Sequence, residues 1–420
     1  MKELLKKTVL DNGVRIITTN MPHLRSVSMG VWVNAGARDE SVQQNGLSHL
    51  VEHMIFKGTK KRSAFDIAKE FDSIGGHTNA FTSFETTCYH AKVMDIHLNS
   101  MVQILSDIFL NSVFDSGEVE RELPVILQEI NIMEDSPEDH IHLLSSKNFW
   151  GNHPLGRSII GTKENVMSFD ADTIEEFFHL FYQPDRIVIS AAGNIDHDDF
   201  CKLAAKGFEH IKAGVGFPER TEPKQRSQIQ THRKDLEQAH ICICMNGPSN
   251  TSPDSYVFNI MNTIIGGNMS SRLFQEIREQ KSLAYSVYSF LMSYVDTGMF
   301  GIYAGVAPET TNQTIDLILE HVRKLKKARV SASELEAAKQ YAKSGIMLEA
   351  ESNDNQMMRA AQSEIDFNRH VHISEVIDQI DHVTEGQILE LAQNIFDSHE
   401  LSLTLLGPVP DEKAFEGLLL

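Results

Sequence analysis

The sequence predicts an α+β protein built from two related halves, each a mostly antiparallel sheet with helices packed on it. Helical patterns with a 3.6-residue period and alternating strand patterns recur in the same order in both halves. A polar stretch with prolines, glycines and charges separates the halves. With 420 residues, 41% of them hydrophobic, the chain can bury more than one core. We therefore expect an N-terminal domain at 1–213, a linker at 214–236 and a homologous C-terminal domain at 237–420.

The elements of the two halves correspond in order. The first half has a strand in VSMGVWVNAG, a turn and a helix, a second helix in SAFDIAKEFDSIGG, a hairpin, an amphipathic helix in HLNSMVQILSDIFLN and a Glu-rich helix in SGEVERELPVILQEI. The second half has a strand in AHICICMNGP, a helix in SYVFNIMNTIIGG, strands in SLAYSVYSFLMSYVDTGMFGIYAGV, an amphipathic helix in TTNQTIDLILEHVRKLKKA and a last helix in SASELEAAKQYAKSGIM. This repetition indicates an internal duplication.

Charge and composition exclude some classes of partner. Against 38 basic residues stand 58 acidic ones, a net charge of −20, which argues against a nucleic-acid partner because such a partner requires a basic face. The acidity fits solubility, or an acidic interior that attracts basic peptides. We expect no membrane partner, because the sequence has no transmembrane segment, and no secretory signal, because no apolar segment follows the lysines of MKELLKKTVLDNG.

The four cysteines form no C-x-x-C pair, and we interpret Cys242 and Cys244 as packed thiols on one face of a strand. Reduced cysteines suit the cytoplasm, where we expect the protein.

The segment GLSHLVEHMIFKGT carries the strongest chemical signal. It places His49, Glu52 and His53 in the order H-x-x-E-H on a helical segment, so that both imidazoles can bind one metal ion beside the carboxylate. Zinc catalysis needs three protein ligands, an open position for water and a base that is not a ligand. A single histidine is more often a surface or core residue, but this spacing favours two ligands and a base.

A third ligand has to come from a distant segment. The helix in DSGEVERELPVILQEI offers Glu122 and Glu129, which lie seven residues apart and share a helix face. Pro124 falls between them, so either the helix bends there or a new turn starts near Leu123.

These segments, with GGHTNAFTSFETTCYH between them, together resemble the M16 peptidase family, which includes pitrilysin, insulin-degrading enzyme and the mitochondrial processing peptidase. Glu129 follows His53 by 76 positions, the spacing of the family's third ligand. The resemblance implies that His49, His53 and Glu129 bind zinc, that Glu52 is the catalytic base and that Glu122 orients a ligand. Because the second half has NIMNTII where the first has SHLVEH, we expect the domain at 1–213 to be the zinc-binding catalytic domain and the domain at 237–420 to contact substrate without a metal site of its own. We therefore expect one Zn²⁺ per chain.

The resemblance also implies where substrate binds. Asn79 and Ala80 match the family's substrate strand, with Phe81 and Phe84 as walls of a pocket or, alternatively, as core residues. An extended peptide held against a sheet edge has its scissile carbonyl fixed by main-chain hydrogen bonds.

The stretch GGNMSSRLFQEIREQKSLAYSV resembles the family's C-terminal substrate-binding segment. Arg278 and Tyr285 there would donate hydrogen bonds to the substrate backbone and to the oxyanion. The chain resembles half-length members of the family, which implies a homodimer that closes as a clamshell around peptides or unfolded segments.

The predicted function is therefore zinc-dependent endopeptidase activity on peptides or unfolded polypeptide, similar to that of a processing protease. Two alternatives are a non-catalytic partner subunit and a peptide-binding scaffold with a structural metal. The intact motif argues against the first. A structural zinc requires four protein ligands, and no fourth is evident, which argues against the second.

Overall fold

The computed structural model describes residues 4–214, 216–396 and 401–415. The strands are β1 (Leu4–Val9), β2 (Arg15–Asn20), β3 (Ser26–Val33), β4 (His77–Thr82), β5 (Thr87–Met94), β6 (Ile187–Gly193), β7 (Ile229–Arg233), β8 (Ala239–Gly247), β9 (Ala284–Ser293), β10 (Gly298–Val306) and β11 (Ser402–Gly407). The helices are α1 (Leu47–Met54), α2 (Ala64–Ser73), α3 (Leu98–Asn111), α4 (Ser116–Asp135), α5 (Pro137–Trp150), α6 (Lys163–Val166), α7 (Ala171–Phe181), α8 (His197–Phe208), α9 (Ser255–Ile265), α10 (Thr311–Lys327), α11 (Ala332–Glu349), α12 (Asn353–Phe367), α13 (Ile373–His382) and α14 (Glu385–Ile395).

The chain forms two compact units, each assembled from three segments. Unit 1 comprises Met1–Asn131, Ser158–Arg220 and Met347–His372, and unit 2 comprises Ile132–Arg157, Thr221–Ile346 and Ile373–Leu420. The ranges expected from the sequence, 1–213 and 237–420, are each contiguous and so differ from these units. The expected linker, 214–236, contains strand β7 of the second sheet.

Apart from β1, which has no counterpart among the described strands of unit 2, the two sheets have the same topology, as the repeated pattern predicts. The sheet of unit 1 has the order β1-β2-β6-β3-β5-β4, and the sheet of unit 2 has the order β7-β11-β8-β10-β9. Each contains one parallel pair at the matching place, β2 with β6 and β7 with β11, and its other pairs are antiparallel. The predicted α+β class and mostly antiparallel sheets are therefore confirmed.

In unit 1, helices cover both faces of the sheet. On one face, Leu50 of α1 and Ile108 of α3 are fully buried in one cluster with Val31 and Tyr89 of the strands. On the other face, α12 packs across β2, β3 and β6 and contributes Met357 to a second apolar cluster. A sheet with two apolar faces requires such a layer on each of them.

In unit 2, α9, α10 and α14 belong to the main core, where Ile264 and Ile318 are buried with the strand residues Ile243 and Ile302. The helix α5 packs on β8 and β11. Each unit thus includes one helix that packs on its sheet but is separated from most of the unit in the sequence. Helix α5 directly follows α4 in the chain yet belongs to unit 2, and α12 directly follows α11 yet belongs to unit 1.

Within the described ranges, no helix combines the length and the apolar character needed to cross a membrane.

Candidate metal centre

Helix α1 of unit 1 is amphipathic, with one side in the core and the other side only partly buried. Leu47, Leu50, Val51 and Met54 are buried at the i, i+3, i+4 and i+7 positions of one helix face. Ser48 is also buried, whereas His49, Glu52 and His53 are only partly buried. The apolar stripe therefore fixes the rotation of α1 so that the three functional side chains face the same side, as the motif predicts.

The structure brings His49 and His53 together with Glu129 of α4. The Nε2 atoms of both histidines lie 3.7 Å from Oε2 of Glu129, and the imidazole centroids lie 4.5 Å apart. Tetrahedral zinc with bonds of about 2.0–2.1 Å separates its ligand atoms by roughly 3.3 Å, so small side-chain adjustments suffice to bind it. Throughout residues 4–214, 216–396 and 401–415, this is the one group of three or more metal-binding side chains.

The protonation of the histidines suits metal binding. Burial, helped by repulsion from His53, lowers the pKa of His49 to about 4, so its imidazole is neutral at pH 7. Nδ1 of His53 lies 2.8 Å from Oε1 of Glu122. Because an ionised carboxylate only accepts hydrogen bonds, Nδ1 of His53 donates, which leaves Nε2, on the side of Glu129, as the nitrogen that can bind a metal ion.

Glu122 is itself held by Lys57, whose Nζ lies 2.5 Å from Oε2. Burial acts to raise the pKa of Glu122, but the hydrogen bonds from Lys57 and His53 outweigh it, and the pKa lies below its ordinary value. Glu122 therefore stays a carboxylate and keeps its hydrogen bond to His53. A ligand-orienting carboxylate of this kind fixes the tautomer and raises the basicity of the imidazole.

Helix α4 runs through Pro124 from Ser116 to Asp135 without starting anew. Pro124 and Glu120, whose carbonyl loses its helical donor at this proline, are both exposed, so water can satisfy that carbonyl. The buried residues of α4 include Glu122 and Ile126, which share the face of Glu129. Of the two outcomes that the proline allowed, the structure shows a single helix with both glutamates directed to α1.

Glu52 lies outside the three-residue ligand group. The hydroxyl of Thr82, on β4, donates to its Oε2 at 2.6 Å. Burial raises the pKa of Glu52 above its ordinary value, and the Thr82 hydrogen bond opposes that effect only in part. A partly desolvated carboxylate with a raised pKa is a better proton acceptor than an exposed one.

The predicted substrate strand is β4, which forms one edge of its sheet and pairs with β5. Asn79 is exposed and its Oδ1 accepts from the backbone N–H of Ala80 at 2.9 Å. Phe81 points to the face opposite Thr82 and packs edge-to-face on Trp32 at 5.4 Å, a position that favours the core alternative for this ring. Phe84 is half-buried in the turn between β4 and β5.

Arg278 and Tyr285 lie together in unit 2. Arg278 belongs to a π-helical segment, Phe274–Gln280, and its guanidinium lies 4.7 Å from the ring centroid of Phe274 and 4.9 Å from that of Tyr285. Tyr285 is 79% exposed at the start of the edge strand β9. Both side chains line a cavity of about 450 Å³. Single π-helical turns are frequent at functional sites.

Two contacts of this site were not predicted from the sequence. Lys57 lies beyond the end of α1, and its partner Glu122 is distant in sequence, so no local spacing marks their contact. Thr82 lies in the substrate strand that the sequence predicts, yet nothing in the strand pattern marks its contact with Glu52.

Comparisons with known proteins find similar sequences over most of the chain. The family model described as Insulinase (Peptidase family M16) matches residues 15–163, and the one described as Peptidase M16 inactive domain matches residues 168–341. The protein named uncharacterized zinc protease YmxG of Bacillus subtilis is 41% identical over 405 residues, 96% of this chain and 98% of that protein. An uncharacterized zinc protease of Streptomyces coelicolor is 34% identical over 98% of this chain and 91% of its own length.

Solved structures show the same fold at low identity. A protease from Helicobacter pylori superposes with a TM-score of 0.90 at 22% identity, covering 97% of this chain and 100% of that one. A peptidase M16 inactive domain from Pseudomonas fluorescens superposes with a TM-score of 0.88 at 17% identity, covering 97% and 99% of the two chains.

Proposed function

Because the chain belongs to peptidase family M16, as its motifs predicted, we propose that it is a zinc-dependent endopeptidase acting on peptides or unfolded polypeptide segments. The observation that carries this proposal is the convergence of His49 Nε2, His53 Nε2 and Glu129 Oε2, with Glu52 beside them and outside the ligand group. Three ligands and a separate carboxylate are the parts of a catalytic zinc site, whereas a structural site uses four protein ligands.

His49, His53 and Glu129 would hold one zinc ion per chain. When bound there, zinc supplies Lewis-acid chemistry that polarises a peptide carbonyl and makes water more acidic. The protein prepares the site in advance: His49 is neutral because it is buried, and Glu122 with Lys57 holds His53 in the tautomer that leaves Nε2 free.

Glu52 supplies the proton transfers of the proposed reaction. Its carboxylate accepts a proton from the attacking water and then delivers that proton to the amine leaving group. Thr82 fixes one carboxylate oxygen, Oε2, which leaves Oε1 for the water. The raised pKa makes the protonated form of Glu52 accessible, as the second transfer requires.

The open edge of β4 supports binding of an extended peptide. Backbone groups on an edge strand accept an added strand by main-chain hydrogen bonds, which demand no particular side chain from the substrate. Thr82 belongs to β4 and touches Glu52, so a peptide aligned on Asn79 and Ala80 runs beside the proposed base. This mode suits peptides and unfolded segments, because a folded protein does not offer a free strand.

Arg278 and Tyr285 are the proposed donors to the substrate backbone and to the developing oxyanion. The guanidinium lies near the rings of Phe274 and Tyr285, which limits its freedom before substrate arrives. We further propose that two copies of the chain form a homodimer, in which Arg278 and Tyr285 of one chain serve the zinc site of its partner. The half-length resemblance supports this arrangement.

The decisive experiment separates metal binding from proton transfer. Glu52→Gln should retain about one zinc per chain and lose nearly all peptide cleavage, since the ligands remain and the base is gone. Glu129→Gln should lose both. Glu120→Gln is the matched control, because Glu120 is an exposed glutamate on the same helix as Glu129. Zinc is measured by atomic absorption, and cleavage by mass spectrometry of a peptide mixture with and without chelator. Wild-type cleavage rates in Glu52→Gln would show that the base is misassigned.

A non-catalytic, peptide-binding subunit is the second candidate, favoured by the match of residues 168–341 to the model described as an inactive domain. That match leaves out His49, Glu52, His53 and Glu129, which are all present in unit 1. The same experiment distinguishes the two candidates. If the chain is a scaffold, the wild-type protein binds zinc and peptide but produces no chelator-sensitive cleavage products.

A further inference from the structure

The two histidines of the metal centre are held in different ways. His53 is oriented by its hydrogen bond to Glu122. Nδ1 of His49 is buried and has no hydrogen-bond partner in the part of the chain that the structure describes. No polar side chain therefore orients the imidazole of His49, and its direction depends on the backbone of the first turn of α1, in which it is the third residue.

That first turn lacks an ordinary cap. The N-cap residue is Gly46, with φ of +109° and no side chain to accept from the helix. A Cβ at Gly46 would meet Gly161 Cα and Ile160 O, each at 3.0 Å, and a positive φ is strained for any L side chain. Serine, threonine or aspartate is therefore disfavoured there, and the first N–H groups of α1 need an acceptor from elsewhere.

Glu40 provides this acceptor. Its Oε1 accepts from the N–H of Ser48 at 2.6 Å, and its Oε2 accepts from the N–H of Gly46 at 2.9 Å and from Nδ2 of Asn45 at 3.1 Å. The side chain is buried, with only 3% of the residue exposed. The carboxylate thus lies at the positive end of α1 and bonds the residue immediately before His49.

We propose that Glu40 is a positioning residue for the metal ligand His49: it replaces the missing N-cap of α1 and so directs Nε2 of His49 towards Oε2 of Glu129. This inference rests on the zinc site of the proposed function. Its test measures zinc affinity and ligand geometry instead of peptide hydrolysis, so the positioning role can fail while the endopeptidase assignment stands.

The test compares Glu40→Gln with Ser63→Ala. Ser63 caps α2 of the same unit, and its Oγ accepts from the N–H of Asp66 at 3.2 Å, so its loss removes a helix cap away from the ligands. In Glu40→Gln, an amide NH₂ replaces one of the two accepting oxygens and faces N–H donors. Both variants should lower the melting temperature of the apoprotein.

Zinc affinity separates the two variants. By chelator competition, Glu40→Gln should bind zinc about tenfold or more weakly than the wild type, in the range seen when partners of metal ligands are changed. Ser63→Ala should stay within about twofold of the wild type, because a cap outside the metal helix does not move a ligand. Since burial raises the pKa of Glu40 to about 7, the measurement is made at pH 8.

The visible spectrum of the cobalt(II)-loaded protein tests the position of the ligands directly. It would not change if Glu40 contributed only to the stability of the fold. The visible absorption of the cobalt-loaded protein should shift in Glu40→Gln and stay unchanged in Ser63→Ala, because the band reports the ligand arrangement. If Glu40→Gln does not fold, Asn45→Ala decides the question: it removes one of the two hydrogen bonds to Oε2 of Glu40, and zinc binding should weaken about threefold. Wild-type zinc affinity and cobalt spectrum in the folded variant would overturn the proposal. A wild type that binds no zinc would overturn this proposal and the proposed function together.

Discussion

Five strands of unit 1 have the same order as the five described strands of unit 2, yet in the described residues only unit 1 holds a metal-binding group. The helix that follows the first central strand shows the difference. In α1 the apolar stripe leaves room for His49, Glu52 and His53, whereas α9 buries Val257, Phe258, Ile260, Met261, Ile264 and Ile265. Both helices need an apolar face that packs in the core, but the residues outside that face can differ between the two units.

The same difference appears on the second helix of the site. Val119 and Leu335 are the first buried residues of α4 and α11. Counting from them, Glu122 corresponds to Ala338 and Glu129 to Gly345. Unit 2 thus has small residues where unit 1 has the ligand and the carboxylate that orients His53. The apolar faces therefore maintain the fold in both units, whereas the chemistry depends on about five polar positions of unit 1.

The largest expected effect tests this asymmetry directly. His53→Ala should remove zinc and reduce peptide cleavage below detection, because it deletes a ligand and leaves Glu122 and Lys57 without their target. Asn259→Ala, an exposed change on α9 of unit 2, should keep one zinc per chain and wild-type cleavage. Zinc content per chain and cleavage rate are measured on both. Two zinc ions per wild-type chain would show that the metal sites are not confined to unit 1.

The second prediction asks whether unit 2 contributes Arg278 and Tyr285 to the zinc site of a partner chain. A variant with His49→Ala and a variant with Arg278→Ala plus Tyr285→Phe should each be nearly inactive. Mixed under conditions of subunit exchange, they should recover about a quarter of wild-type activity, because half of the dimers are mixed and each has one complete site. Activity is followed over time after mixing.

The control is a mixture of His49→Ala with Glu129→Gln, both in unit 1. These two variants damage the same half-site in either chain, so no mixed dimer has a complete site. Continued inactivity of the first mixture, once heterodimers are demonstrated by native mass spectrometry, would refute the shared-site arrangement. A chain that is monomeric at working concentration would do so as well.

Local patterns predicted much of the fold and the central part of the site. The apolar spacing of α1, the H-x-x-E-H order and the repeated element order are short-range signals, and each corresponds to what the structure shows. The placement of Glu129 opposite the histidines came from the family resemblance, since residue spacing alone did not choose between Glu122 and Glu129.

The features that were not predicted all depend on long-range packing. The exchange of α5 and α12 between units leaves no local signal, because the sequence of a helix does not specify which of two sheets it packs on. Strand β7 is short and polar, so its sequence resembles a linker. Only its pairing with β11, which is distant in sequence, makes it a strand. Glu40 acts through backbone N–H groups, which every residue except proline possesses.

A smaller effect is expected from Lys57, which has no role in the motif itself. Lys57→Met keeps the aliphatic stem and removes the ammonium that balances Glu122, so Glu122 should hold His53 less firmly. Zinc affinity should fall about tenfold, as for other changes behind a ligand. Lys61→Met, an exposed lysine four residues on, is the control and should leave affinity unchanged. Equal zinc affinities for the two variants would show that Lys57 does not support zinc binding.

The smallest predicted effect concerns the edge strands β4 and β9, which end the two sheets at the same position. On β4, Thr82 donates to Glu52 at 2.6 Å, so Thr82→Val should leave zinc content unchanged and reduce kcat. A hydrogen bond to a charged group contributes about 1.5–3 kcal/mol, but water can replace part of it at this half-buried site, which makes a loss of about three- to tenfold reasonable.

Thr78→Val is the matched control for Thr82→Val, because Thr78 lies on the same face of β4 and donates to the carbonyl of His90 instead of to Glu52. Both variants lose one hydroxyl from the edge strand β4, so a change in KM that is common to both is assigned to peptide binding at this strand. A fall in kcat confined to Thr82→Val assigns the effect to the orientation of Glu52. The same kcat in both variants would show that β4 serves only to bind peptide, as the sequence alone had suggested.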